Sequence, residues 1–295
     1  VGDAYADGWK TVLVGATGAG GRSVFGIDIS NPASFTSEAL LWEVNEQTDG
    51  DIGHVMGKPV IVPLEDGSWA AVFGNGYNSD NGDAALFLVD VFTGNVIKKI
   101  VAPDGNDVDA NGLGYVTVLD TDGNGLGDTV YGGDLQGNMW RFDLSGAVAN
   151  WGVAYNGTPV FVATDRDGER QPITGGVQAA VGPGLGYMVY FGTGRYFLVG
   201  DNSAATGQQV QSLYGVWDNG TAVSGGRAML VGQEIIEEEE GARAISRNPV
   251  NYISHRGWYL DLVVGDQDTG ERFISIPRLQ SNRELRSEEH TSELQ

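Results

Sequence analysis

Along the chain, apolar residues come in short strand-length runs separated by Gly-, Asn- and Asp-rich breaks. Thr11-Val12-Leu13-Val14, Ala84-Ala85-Leu86-Phe87-Leu88-Val89 and Tyr187-Met188-Val189-Tyr190-Phe191 are examples. No stretch keeps a 3.6-residue period for more than two turns, so the pattern predicts strands. The continuous apolar runs fit strands covered on both faces, since a half-exposed strand alternates instead.

The runs repeat. Four segments share a strand ending in Gly, a Gly/Asn-rich turn, and a second strand ending at an Asp. They are Trp9–Gly15 with Val24–Asp28, Trp69–Gly74 with Leu86–Asp90, Asp128–Gly132 with Met139–Asp143, and Met188–Gly192 with Leu213–Asp218. The marker glycines Gly15, Gly74, Gly132 and Gly192 are spaced by 59, 58 and 60 residues. Units of this size, each a small antiparallel sheet, hide their faces by stacking around an axis. The expectation is an all-β fold, a β-propeller fragment of about four to five repeat units of roughly 60 residues. A pair of sandwiches is the alternative, but it requires no such repeat. Arg256–Leu262 with Arg272–Ile276 is expected to open a fifth unit. Asp165–Arg170 and Thr206–Gln209 are expected as loops, and Glu234–Gly241 as a solvated loop tip or short helix. Trp9, Trp42, Trp69, Trp140, Trp217 and Trp258 are read as blade-packing residues at matching places in the repeats.

The propeller domain is taken to run over residues 1–285. Residues 286–295, Arg-Ser-Glu-Glu-His-Thr-Ser-Glu-Leu-Gln, resemble the translation of a sequencing adapter and are set aside as unstructured. The first residue is Val1, within a few residues of strand-like sequence, which suggests a fragment whose targeting signal lies upstream. No apolar run is long enough to span a membrane.

Charge and composition narrow the function. The formal net charge of −22 disfavours nucleic acid and anionic membranes as partners and suits cation binding. The chain has no Cys and three His, which excludes thiol chemistry and leaves little for histidine catalysis. His54 and His255 have no Gly-x-Ser-x-Gly elbow to serve. Gly15–Arg22 fails the phosphate-loop pattern and leads into a strand, so it reads as a hairpin turn.

The strongest chemical signal is Asp120-Thr121-Asp122-Gly123-Asn124-Gly125-Leu126-Gly127-Asp128. Calcium takes six to eight oxygen ligands, and oxygens at positions 1, 3, 5, 7 and 9 of such a loop wrap the chain around one ion. The ligands are then Asp120, Asp122, Asn124, the carbonyl of Leu126, and Asp128, with Gly125 permitting the sharp turn. Tyr131 stands where an EF-hand has its bidentate Glu, and the flanks are strand-like. The site is therefore strand–loop–strand, with an expected dissociation constant on the order of 10⁻⁵–10⁻³ M. Asp104, Asp107 and Asp109 fit no ligand template and are read as a solvated turn.

Specific strings carry a family resemblance. Trp9-Lys-Thr-Val-Leu-Val-Gly15, Trp69-Ala-Ala-Val-Phe-Gly-Asn-Gly-Tyr-Asn78, Asp120–Asp128 running into Val130-Tyr-Gly-Gly-Asp134, Gly137-Asn-Met-Trp-Arg-Phe-Asp143, Gln211-Ser-Leu-Tyr-Gly-Val-Trp-Asp218 and Arg256-Gly-Trp-Tyr-Leu-Asp261 occur in order. Together they resemble the C-terminal domain of the PilY-type type IV pilus biogenesis factors. The resemblance implies a modified β-propeller with a calcium loop at Asp120–Asp128 and no enzymatic activity. It also implies a place at the cell surface, outer membrane or pilus tip, with minor pilins or a host or abiotic surface as partners. Calcium occupancy would shift the balance between pilus extension and retraction. Two rivals use similar parts. Quinoprotein dehydrogenase propellers carry strings like Leu88-Val-Asp-Val-Phe-Thr-Gly94 and hold a quinone with calcium, whereas integrin-like propellers repeat the acidic loop in several blades.

Overall fold

The computed structural model describes residues 9–103, 110–202, 208–239, 242–265, 267–268, 270–279 and 285–287. Asp104, Asp107 and Asp109 lie outside them. The described chain is mostly strand. Three strands, β1 (Val12–Ala16), β2 (Ser23–Asp28) and β3 (Leu40–Asn45), form the first sheet in chain order. The second sheet is β4 (Val60–Pro63), β5 (Trp69–Gly74), β6 (Ala85–Asp90) and β7 (Val96–Val101), again in chain order. In the third, β8 (Leu113–Leu119), β9 (Thr129–Asp134), β10 (Asn138–Asp143) and β11 (Gly152–Val153) are neighbours, and β12 (Phe161–Val162) also pairs with β10.

A fourth sheet begins β13 (Gln178–Val181), β14 (Tyr187–Gly192) and β15 (Ser212–Asp218). It continues through β18 (Gly257–Val264) to β16 (Val231–Glu239) and β17 (Ala242–Ile245). By backbone contacts the chain divides into two compact units, Val1–Gly132 with Arg141–Gly157, and Gly133–Trp140 with Thr158–Gln295.

The repeat read from the glycines is the repeat of the sheets. Gly15, Gly74, Gly132 and Gly192 stand in β1, β5, β9 and β14, and the strand that follows each ends on Asp28, Asp90, Asp143 or Asp218. Each of these aspartates turns its Oδ1 onto the backbone N–H two residues on, at Ser30, Phe92, Ser145 and Gly220, with distances of 2.9–3.0 Å. An Asx turn stops the strand because its side chain supplies the acceptor that a ladder would otherwise offer.

A second repeated device is a tryptophan laid over a strand glycine. Gly26 pairs with Trp42 across β2 and β3, and Gly215 pairs with Trp258 across β15 and β18. A Cβ on either glycine would come within 2.4 or 2.6 Å of the indole, so no larger residue fits there. Trp42 also donates its indole N–H to the Val91 carbonyl at 2.7 Å, joining the first sheet to the second. The tryptophans do not otherwise share a repeat position. Trp140 and Trp217 stand at different registers of β10 and β15, and Trp9 is 72% exposed and packs no blade.

In the first unit the core lies between the first two sheets. Val12, Val24, Trp42 and Val44 meet Ala71, Phe73, Ala85, Phe87 and Val89, and the Phe73 and Phe87 rings stack 5.6 Å apart. Ala85 to Val89 are all fully buried, as the unbroken apolar run predicts. In the second unit Phe161, Phe191 and Tyr214 form an aromatic core with centroids 5.2–6.5 Å apart.

Three expectations change. Arg256–Leu262 does not open a fifth unit. β18 pairs with β15 from Val216↔Gly257 to Ser212↔Asp261 and belongs to the fourth sheet. The acidic run is strand from Glu234 to Glu239, where β16 pairs parallel with β18 and antiparallel with β17, while Glu240 and Gly241 lie outside the described residues. Ile235 is buried there between the exposed Glu234 and Ile236, and the pairing outweighs the low strand propensity of glutamate. At the C-terminus, Leu285–Ser287 pairs with Pro277–Leu279, so Arg286 and Ser287 stand in a strand. The remaining residues, 288–295, lie outside the described set.

Candidate functional site

The loop Asp120–Asp128 joins β8 to β9 and lies within the first unit. Its base is fixed by backbone bonds. Asp128 donates its N–H to Leu119 at 3.0 Å and accepts from Leu144 at 2.7 Å, while Gly127 donates to Pro63 at 2.9 Å. Gly123 and Gly125 take φ of +80° and +87°, the left-handed region that lets so short a segment curl on itself.

Within the loop nearly every hydrogen bond points inward. Asp120 accepts from the N–H groups of Gly123 and Asn124 on Oδ1, at 2.7 and 3.1 Å, and of Gly125 on Oδ2 at 2.7 Å. The Gly125 contact, seconded by those from Gly123 and Asn124, holds the Asp120 carboxyl below the usual carboxylate range and keeps it ionised. Asp122 accepts from the backbone and side-chain amides of Asn124, both at 3.0 Å, and the Asn124 side-chain oxygen Oδ1 accepts from Leu126 N–H at 2.8 Å. Asp128, only 3% exposed, accepts from Thr121 on both oxygens.

The three carboxylates converge. Asp120, Asp122 and Asp128 each place one oxygen within 4.8 Å of the others. That is about twice a calcium–oxygen bond of roughly 2.4 Å, so the set has the span a calcium ion needs. All donors are oxygens, which suits a hard cation and not a soft metal. Asn124 belongs to the same curl, and Leu126 stands between it and Asp128. None of the three carboxylates pairs with a Lys or Arg among the described residues. The sequence reading missed Thr121, whose bonds to Asp128 depend on how the loop closes.

The lesser candidates take structural places. Gly15–Arg22 is the β1–β2 hairpin turn, with Ala16 paired to Val24. His54 points Nδ1 at the Gly18 carbonyl at 3.2 Å, and His255 meets the neighbouring Ser254 hydroxyl. Among the described residues no helix is long and apolar enough to cross a membrane.

Successive antiparallel sheets of three or more short strands, one of them with an acidic curl between two of its strands, are the parts of a β-propeller bearing, among the described residues, one candidate cation loop. The family profile of the PilY1 beta-propeller domain matches residues 1–240, and the chain belongs to that family. It is 52% identical over 301 residues to a type IV pilus biogenesis factor PilY1 homolog of Xylella fastidiosa, covering 95% of this chain and 20% of the relative. Against the type IV pilus biogenesis factor PilY1 of Pseudomonas aeruginosa strain UCBPP-PA14 it is 36% identical over 324 residues, covering 93% of this chain and 28% of that protein. The crystal structure of the Pseudomonas aeruginosa PilY1 C-terminal domain superposes with a TM-score of 0.85 at 34% identity, covering 93% of this chain and 63% of that one. The chain thus spans between a fifth and just over a quarter of these curated relatives.

Proposed function

We propose that this chain is the calcium-binding propeller of a type IV pilus biogenesis and adhesion protein, in which occupancy of the Asp120–Asp128 loop regulates pilus extension, retraction and surface attachment. Its ligands are Asp120, Asp122, Asn124, the Leu126 carbonyl and Asp128. The partners are pilus components such as minor pilins, or a host or abiotic surface, and the location is the cell surface, outer membrane or pilus tip. The role is binding, not catalysis. One observation carries the reading: three carboxylate oxygens lie within 4.8 Å of one another. Like charges that close repel unless a cation sits among them. The names of the relatives support the pilus assignment.

The test is calorimetric titration of calcium into the metal-stripped protein. Wild type gives a saturable heat with a dissociation constant on the order of 10⁻⁵–10⁻³ M. Asp120→Ala gives none while keeping its strand circular dichroism. A wild-type protein without calcium heat overturns the proposal. The quinoprotein rival predicts instead that added quinone cofactor restores dye-linked alcohol oxidation.

A further inference from the structure

We infer that Thr121 is the positioning residue of this loop, aiming Asp128 at the ion without touching the ion itself. The inference rests on the calcium reading of the same loop. Thr121 occupies the second position, between two ligands, where the ligand pattern asks nothing of the side chain. Its N–H donates to Asp128 Oδ2 and its hydroxyl donates to Asp128 Oδ1, both at 2.7 Å. Two parallel bonds to the two oxygens of one carboxylate fix its plane as well as its place, which a single bond does not.

Asp128 is the ligand that most needs this. It is the buried member of the trio, while Asp120 and Asp122 are exposed to water. Its carboxylate faces two like charges and has little solvent to screen them. Thr121 supplies donors to Asp128 as the loop amides do to Asp120 and Asp122, which also have water around them. Threonine also has few χ1 states to lose, so its hydroxyl costs little entropy to hold in place. Partners that hold a metal ligand typically contribute 10–100-fold to affinity.

The experiment compares wild type, Thr121→Val and Thr121→Ser by calcium calorimetry and by the luminescence lifetime of bound terbium in H2O and D2O. Thr121→Val, which keeps the shape and removes the hydroxyl, is expected to weaken calcium about tenfold. It also gains terbium-bound water as Asp128 swings away, whereas a merely structural threonine leaves the water count unchanged. Thr121→Ser restores both values. Wild-type calcium binding with an unaltered Thr121→Val affinity and water count overturns the inference alone. Absence of binding by wild type overturns the calcium reading and the inference with it. If Thr121→Val does not fold, Thr121→Ser carries the test, since loss of affinity despite the retained hydroxyl overturns the inference.

Discussion

Two turns of this chain carry the same opening, Asp-x-Asp-Gly: Asp120-Thr-Asp-Gly123 and Asp165-Arg-Asp-Gly168. Both put the glycine in the left-handed region, at φ of +80° and +87°. In both, the first aspartate gathers backbone N–H groups of its own turn. The second turn closes early, with Thr164 bridging Arg170. Its Asp165 spends the remaining oxygen on the Gln209 side-chain amide at 2.9 Å, and Arg170 reaches back to the Gln136 carbonyl and the Asn138 side chain. The first turn runs on to Asp128 and brings three carboxylates together instead. An Asp-x-Asp-Gly string therefore specifies a curl, not a metal site. The decisive difference is whether the protein supplies the donors for its carboxylates or leaves several acidic oxygens facing one point.

The largest expected effect separates the two turns by their response to calcium. An ion bound only by the folded loop stabilises it by about 2.7 kcal/mol at a hundredfold excess over Kd. For units of this size, that raises the melting midpoint by roughly 5–10 °C. Asp128→Ala is expected to abolish the difference between calcium and chelator, and Asp165→Ala to retain it in full. Scanning calorimetry of both variants decides the matter, and a calcium shift that survives Asp128→Ala removes the loop from consideration.

The contrast also explains which features could be read from the sequence. The marker glycines, the terminal aspartates and the acidic loop were legible because each belongs to a strand paired with the next strand in the chain or to a turn that satisfies its own backbone. β18 was not, because it pairs with β15 some 40 residues earlier, across the inserted β16–β17 hairpin. The glutamates of β16 carry a loop-like signal that long-range pairing overrides. Thr121 was invisible for a related reason. A hydroxyl inside a loop acquires a role only when the chain seven residues on returns to meet it.

A smaller effect is expected where the second turn is anchored. The buried Tyr214 hydroxyl donates to the Thr164 carbonyl at 2.8 Å and meets the Gln171 side-chain oxygen at 2.6 Å, at the foot of that turn. Burial pushes Tyr214 up to about 12. Its folded value lies above the ordinary one near 10, so its contribution is complete below about pH 10 and is lost as pH rises towards 12. Tyr214→Phe is expected to cost about 1–2 kcal/mol at neutral pH and to flatten this alkaline decline, with no dependence on calcium. Urea unfolding at neutral and alkaline pH measures both. A variant as alkali-sensitive as wild type would assign the decline to another group.

The smallest effect is the sharpest comparison, because the two turns share the glycine that makes it. A Cβ added at Gly123 or at Gly168 meets nothing within 4 Å, so alanine at either position costs only the strain of the left-handed backbone, about 1 kcal/mol. In chelator, Gly123→Ala and Gly168→Ala should therefore destabilise equally. With calcium they should part. Gly168→Ala keeps the whole calcium increment, because its turn is held by Gln209 and its own backbone. Gly123→Ala loses part of it, because any relaxation of φ moves Asp122 relative to Asp120 and spoils the convergence on which a shared ion depends. Equal losses in chelator and unequal losses in calcium, read from paired urea titrations, distinguish a turn completed by a cation from one completed by the chain.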